Sequence, residues 1–335
     1  MLSRVPDKHK YNKEIHTMNQ FRGVIPPVVT PLTADHRLDV ESYRRSIDRM
    51  IGAGVNGLFV LGSSSEVVFS TDERRREILA AAIEIAGGRV PVLAGCIDTE
   101  TNRVIEHARA AREMGAAAIV ATAPFYALGG VAEIERHFRL IHAAVPELPL
   151  FAYDIPVCVH TKLPNDLLIR LGRDGVLAGV KDSSNDDVAF RFLIGDNEEN
   201  GHPLTLLTGQ EVVVDGAYMA GADGSVPGLA NVDPYGYVAM WNAYRNGDWD
   251  SVRKEQNKLA SLMRIVLAPS GVQGFGSGVG AFKTAMALLG VFDTNQMPEP
   301  VLALHGDNVK AIANVLRACG FELARTVEQV DASTE

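Results

Sequence analysis

The chain has 335 residues, 47% of them hydrophobic and 22% charged, which is enough apolar material for a large core and argues against disorder. A net charge of -9 and a pI near 5.5, with no basic face standing out, argue against nucleic acid as a partner. Cys96, Cys158 and Cys319 lie far apart with no CxxC pair, which suggests neither a disulfide framework nor a thiolate metal site and fits a reduced cytoplasm.

Residues 1–20, MLSRVPDKHKYNKEIHTMNQ, are polar, basic and aperiodic, and read as an N-terminal extension. They hold no hydrophobic signal core, and no apolar run in the chain nears the roughly 18 residues of a membrane span, so a soluble, unexported protein is expected. From Phe21 the chain alternates two textures. Short apolar runs occur at Gly23-Val24-Ile25 leading to Val28-Val29, then at 58–61, 90–94, 118–121, 150–153, 176–180, 204–207 and 224–226. Helical stretches separate most of them. One opens on a capping box at Ser70-Thr71-Asp72-Glu73, runs over 74–86 and stops at Gly87-Gly88; another spans Thr101 to Met114-Gly115. About eight strand–helix units, with strands too uniformly apolar to have a wet face, predict an α/β fold: a closed (β/α)8 TIM barrel over 21–233. A Rossmann-like open sheet is the rival, but no GxGxxG follows the first strand. Over 234–335 strand texture vanishes; Trp249–Leu267 and Asn308–Cys319 read as helix, giving a small C-terminal helical region, and the last residues, VDASTE, are expected to fray.

Catalytic groups of such a barrel sit at the C-terminal ends of its strands. Those ends read Gly62-Ser63-Ser64-Ser65-Glu66, Thr122-Ala123-Pro124-Phe125-Tyr126, Tyr153-Asp154-Ile155-Pro156, Lys181, Thr208-Gly209-Gln210-Glu211 and Gly224-Ser225-Val226-Pro227-Gly228. No converging His/Asp/Glu set marks a metal, and His107, His137 and His142 fall in helical segments where packing or surface roles are expected. A lysine walled by apolar side chains sheds the hydration that favours its charged form, so neutral amine is available to attack a carbonyl; the resulting Schiff base is an electron sink that needs no cofactor. The serine loop offers backbone N–H groups and hydroxyls for a carboxylate, and Tyr153, one strand from Lys181, is the candidate acid-base group. Each feature alone has a plainer reading: a solvated strand-end charge, a core phenol, a helix-capping turn. Their coincidence at one barrel mouth favours chemistry over a catalytically silent barrel that merely binds a small acid.

The set GSSSE, PFY, YDIP, GVKDSS and GADG followed by ANV, over roughly Phe21 to Phe321, resembles the dihydrodipicolinate synthase and N-acetylneuraminate lyase family of class I aldolases. The resemblance implies that Lys181 forms an imine with pyruvate or another 2-oxo acid, without cofactor or metal. It further implies that Tyr153 shuttles protons and that Ser63 links it to a second tyrosine, Tyr126, reaching into a neighbouring subunit of a dimer or tetramer. Ser63 and Ser64 then clamp the pyruvate carboxylate, and Val226 faces pyruvate through its backbone. Three positions depart from the family patterns. Cys158 stands where dihydrodipicolinate synthases carry an arginine that holds a substrate carboxylate, which weakens that activity. Ser65 replaces a glycine and bears on the shape of the carboxylate site. Glu211 falls near a position that binds sugar hydroxyls in the neuraminate lyases, while Gln210 departs from their pattern. The expected activity is a lyase that cleaves or forms a 2-keto-3-deoxy sugar acid with pyruvate as one partner; dehydration of a sugar acid through the same imine, and dihydrodipicolinate synthesis, are the alternatives.

Overall fold

A computed structural model describes residues 21–334; the N-terminal extension over 1–20 lies outside the described residues. Eight parallel strands alternate with eight helices. The strands are β1 (Gly23–Val24), β2 (Leu58–Val60), β3 (Val92–Gly95), β4 (Ala118–Thr122), β5 (Leu150–Asp154), β6 (Gly179–Asp182), β7 (Thr205–Thr208) and β8 (Gly224–Ser225). The helices that follow them in turn are α1 (Val40–Ala53), α2 (Asp72–Ala86), α3 (Thr101–Met114), α4 (Val131–Ala144), α5 (Asn165–Arg173), α6 (Asp187–Glu199), α7 (Val214–Ala220) and α8 (Pro234–Arg245). Hydrogen bonds connect the strands in the order β1-β8-β7-β6-β5-β4-β3-β2. Between β1 and β2 the cylinder shuts through the Val28 amide to the Phe59 carbonyl, 2.8 Å, and the Phe59 amide to the Pro26 carbonyl, 2.9 Å. The chain is therefore a (β/α)8 barrel.

Helix boundaries follow local chemistry. The Thr71 hydroxyl accepts from the Arg74 amide and starts α2, while Gly87, in the left-handed region, ends it. The expected capping box is thus replaced by a simple Thr71 cap, because Arg74 occupies the third helical position where a box needs Glu or Gln. Strand six is also displaced from its expected span of 176–180. Val176 and Leu177 are buried lead-in residues, and the ladder begins at Gly179 and runs through Lys181 to Asp182. Gly179 is required there, since a Cβ would lie 2.3 Å from the Phe151 ring and 2.5 Å from the Thr205 carbonyl oxygen.

Beyond the barrel, α9 (Trp249–Leu262) packs along α8, a 3-10 turn covers Met263–Leu267, and α10 (Val279–Leu288), α11 (Asp307–Ala318) and α12 (Val327–Asp331) follow. All of α10 is buried, and it contacts the 3-10 turn Gly228–Asn231 that follows β8. The first two residues of the stretch expected to fray, Val330 and Asp331, belong to α12, which the Thr326–Gln329 capping box starts, and Val330 is buried.

Candidate active site

Tyr153 and Lys181 are direct partners across β5 and β6. Period-two alternation sends both side chains into the barrel and the neighbouring Asp154 and Asp182 outward. The Lys181 Nζ lies 4.0 Å from the Tyr153 ring centroid and 4.8 Å from that of Phe59, which reaches in from β2 on the far side of the sheet order. Lys181 is 5% exposed and Tyr153 3%. The amine therefore sits in an aromatic socket at the strand ends rather than in bulk water.

The loop after β2 faces this socket. Ser63 Oγ is 3.5 Å from the Tyr153 hydroxyl, the outer limit of a hydrogen bond. The Gly62 carbonyl accepts from the amides of Ser65 and Val67, and the Ser63 carbonyl from the Glu66 amide. Because a peptide unit is planar and trans, those two bonded carbonyls aim the N–H groups of Ser63 and Ser64 the opposite way. Neither amide has a partner among the described residues, so the pair is available to an anion. Ser65 does something else: its hydroxyl donates to the Val28 carbonyl at 2.5 Å, and its own carbonyl accepts from Thr30, which ties the loop to the chain after β1.

On the opposite wall, Glu211 Oε1 accepts from the Leu229 amide at 2.5 Å, and the Glu211 backbone carbonyl accepts from the Tyr237 hydroxyl and Gln256 Nε2. Burial pushes the Glu211 carboxyl up to about 7, opposed by the Leu229 amide and by the Lys181 charge. Glu211 thus shapes the turn after β8 and shares the electrostatics of Lys181. Val226 is buried and its amide donates to the Thr208 carbonyl. Cys158, the one exposed cysteine, lies near Ser63 and the charge of Lys181, both of which lower its thiol, but burial of the sulfur outweighs them and raises it. Tyr126 is separate from the cluster: it is 94% exposed, with a left-handed backbone of φ 71°.

Two contributors escaped the sequence reading. Phe59 was visible only as a strand residue; its role as a wall of the socket depends on barrel closure. Lys283 of α10 is wholly buried, with its Nζ 2.6 Å from Glu66 Oε2 and 2.9 Å from the Gln296 carbonyl. Burial pushes Glu66 up and Lys283 down, and each charge opposes the other's shift. A buried lysine in an apolar helix, VGAFKTAMAL, was the available signal.

The polar clusters outside the mouth serve structure. Asp72, Asp98 and His107 converge, but Arg103 and Arg75 already engage the Asp98 carboxylate, at 2.9 and 3.6 Å. Burial alone would raise Asp98, yet the hydrogen bonds from Arg103 and His107 hold it well below the usual carboxylate range. His137 bonds Thr101 and the Thr122 carbonyl, and burial lowers it to about 4.

The dihydrodipicolinate synthetase family model matches residues 20–319. A DapA-like lyase of Halobacterium salinarum is 32% identical over 303 residues, 90% of this chain and 95% of that protein. A 4-hydroxy-tetrahydrodipicolinate synthase of Phenylobacterium zucineum is 32% identical over 248 residues, 74% and 83% of the two chains. Among solved structures, YagE, a prophage protein of the dihydrodipicolinic acid synthase family from E. coli K12 crystallised with pyruvate, superposes with a TM-score of 0.84 at 28% identity, covering 89% of this chain and 98% of that one. The dihydrodipicolinate synthase of Bacteroides thetaiotaomicron gives 0.83 at 31% identity, with the same coverage. A barrel with its buried lysine at a strand end, matched over nearly its whole length, belongs to the dihydrodipicolinate synthetase family, and its chain is a lyase of that family.

Proposed function

We propose that the protein is a class I lyase that joins Lys181 to pyruvate or a related 2-oxo acid as an imine, and that its substrate is a 2-keto-3-deoxy sugar acid or a similar hydroxy-oxo acid. The observation that carries this reading is the Lys181 amine enclosed by Phe59 and Tyr153, with Ser63 beside the phenol. Pyruvate in the YagE structure and the family's use of a lysine Schiff base support it.

The neutral Lys181 amine adds to the C2 carbonyl, Tyr153 passes a proton to the carbinolamine oxygen, and water leaves to give the iminium. Tyr153 then takes the proton of the C4 hydroxyl. The C3–C4 bond breaks, its electron pair enters the iminium as an enamine, and an aldehyde departs. Protonation at C3 and hydrolysis return pyruvate and the free amine. Throughout, the Ser63 and Ser64 amides hold the C1 carboxylate, with Ser65 anchoring their loop, while Val226 and Glu211 set the facing wall. Ser63 links Tyr153 to Tyr126 of a neighbouring copy in a homodimer or tetramer. Nothing in this sequence of steps calls on a metal or organic cofactor.

A second reading, 4-hydroxy-tetrahydrodipicolinate synthesis, is favoured by the names of relatives. Cys158 opposes it, because a neutral thiol beside Ser63 cannot pair a second substrate carboxylate. Borohydride reduction with pyruvate, followed by peptide mapping, should place the adduct on Lys181; an unmodified Lys181 at saturating pyruvate would refute the mechanism. A panel of keto-deoxy acids, assayed for pyruvate release beside a condensation assay with aspartate semialdehyde, separates the two readings. Dehydration would appear on the panel as loss of substrate without pyruvate.

A further inference from the structure

The C-terminal helical region meets the barrel mouth at two adjacent residues of α10. Phe282 packs against Gly228, where an added Cβ would stand 3.0 Å from its ring and 3.0 Å from Glu211 Oε1. Lys283 reaches the loop after β2 and pairs with Glu66. We propose that Lys283 and Glu66 are positioning residues: the ion pair holds the loop so that the amides of Ser63 and Ser64 stay aimed at the substrate carboxylate. The carboxylate function rests on the lyase reading above.

Four observations converge on this role. The Glu66 amide is the donor that orients the Ser63–Ser64 peptide. Glu66 is held at φ 58°, a left-handed conformation unfavourable for a side chain with a Cβ, so something must over-determine it. Its carboxylate is fixed by Lys283 alone, since Oε1 has no partner among the described residues. Finally, Lys283 is itself pinned to the Gln296 carbonyl and lies in a helix buried along its whole length, so the anchor is held from the C-terminal region. A pair serving stability only would not need to sit in the turn that aims two free amides. Replacing both buried charges by neutral groups of similar volume is tolerated better than removing one.

The test uses the full chain carrying Glu66→Gln together with Lys283→Met, alongside Glu66→Asp, which shortens the tie but keeps both charges. Cooperative thermal unfolding selects the folded variants. The readouts are hydrogen exchange of the peptide spanning 62–69 and the pyruvate concentration that half-saturates borohydride trapping at Lys181. The expected result is faster exchange over 62–69 with β5 and β6 unchanged, and a half-saturating concentration raised roughly ten- to a hundredfold in the double variant, with trapping restored at saturating pyruvate. Glu66→Asp should show the same changes in smaller measure, and it carries the test if the double variant does not fold. Wild-type exchange over 62–69 in a folded variant overturns the inference, as does unchanged half-saturation. If pyruvate fails to label even the wild type, the lyase reading falls, and exchange alone decides whether the pair holds the loop.

Discussion

A single amine between two aromatic rings explains why Lys181 can be buried without an acidic partner against it. The faces of Phe59 and Tyr153 accommodate its charged form through their quadrupoles and its neutral form through apolar contact. The adjoining phenol is the group proposed to move protons. Tyr153→Phe keeps the ring that walls the socket and removes only the hydroxyl, so kcat should fall by about two to four orders of magnitude while the melting temperature stays near that of the wild type; unchanged turnover would take Tyr153 out of the mechanism. Lys181, Tyr153 and the serine loop were legible from sequence because each ends an apolar run, and strand ends share one rim of a barrel. Lys283 was not, since its partner lies in a distant loop and no local pattern signals a pairing across that separation.

The paired ends of β5 and β6 carry titratable side chains on both faces. Behind the socket, Asp154 and Asp182 lie side by side and share Lys162, while the Leu163 amide donates to Asp154. Burial raises Asp154 to about 6, with Lys162 opposing and Asp182 adding to the shift. A folded-state value above the unfolded one means that the folded chain binds the proton more tightly, so this stabilisation is complete below about pH 4 and is lost as pH rises through 6. Denaturant midpoints taken between pH 4 and 7 should therefore decline less steeply in Asp154→Asn than in the wild type; parallel slopes would show that Asp154 does not titrate there. The displaced start of β6 has its cause at this scale. Val176, Leu177 and Val180 are all buried, so hydrophobicity could not separate the lead-in from the ladder, whereas the need for a side-chain-free residue between Phe151 and Thr205 does.

In the molecule as a whole, α10 flanks the barrel mouth and touches the loops after β2 and β8. Tyr126 stands apart from the cluster of its own chain and is exposed, as are Leu128, Val131 and Val157, and the proposed role for it is in the site of a neighbouring copy. Sedimentation should reveal a dimer or larger assembly, and mixing Lys181→Ala with Tyr126→Phe subunits should restore activity, because each mixed dimer regains one complete site. Absence of recovery would place Tyr126 in its own subunit's site or outside the reaction. The barrel itself was readable from the strand–helix rhythm, since eight buried apolar runs admit few parallel arrangements. The docking of the C-terminal helices was not, because helical periodicity states which face is apolar but not what covers it.

The seam of the cylinder has a bearing on biosynthesis. β1 pairs with β8 on one side and reaches β2 only through the bridge at Pro27 and Phe59 on the other. The first barrel strand to leave the ribosome thus lacks one neighbour until the last barrel strand has been made. Contacts of such long sequence separation form slowly, so nascent chains should pass through an open, partly rolled sheet whose unpaired edge is exposed to other chains.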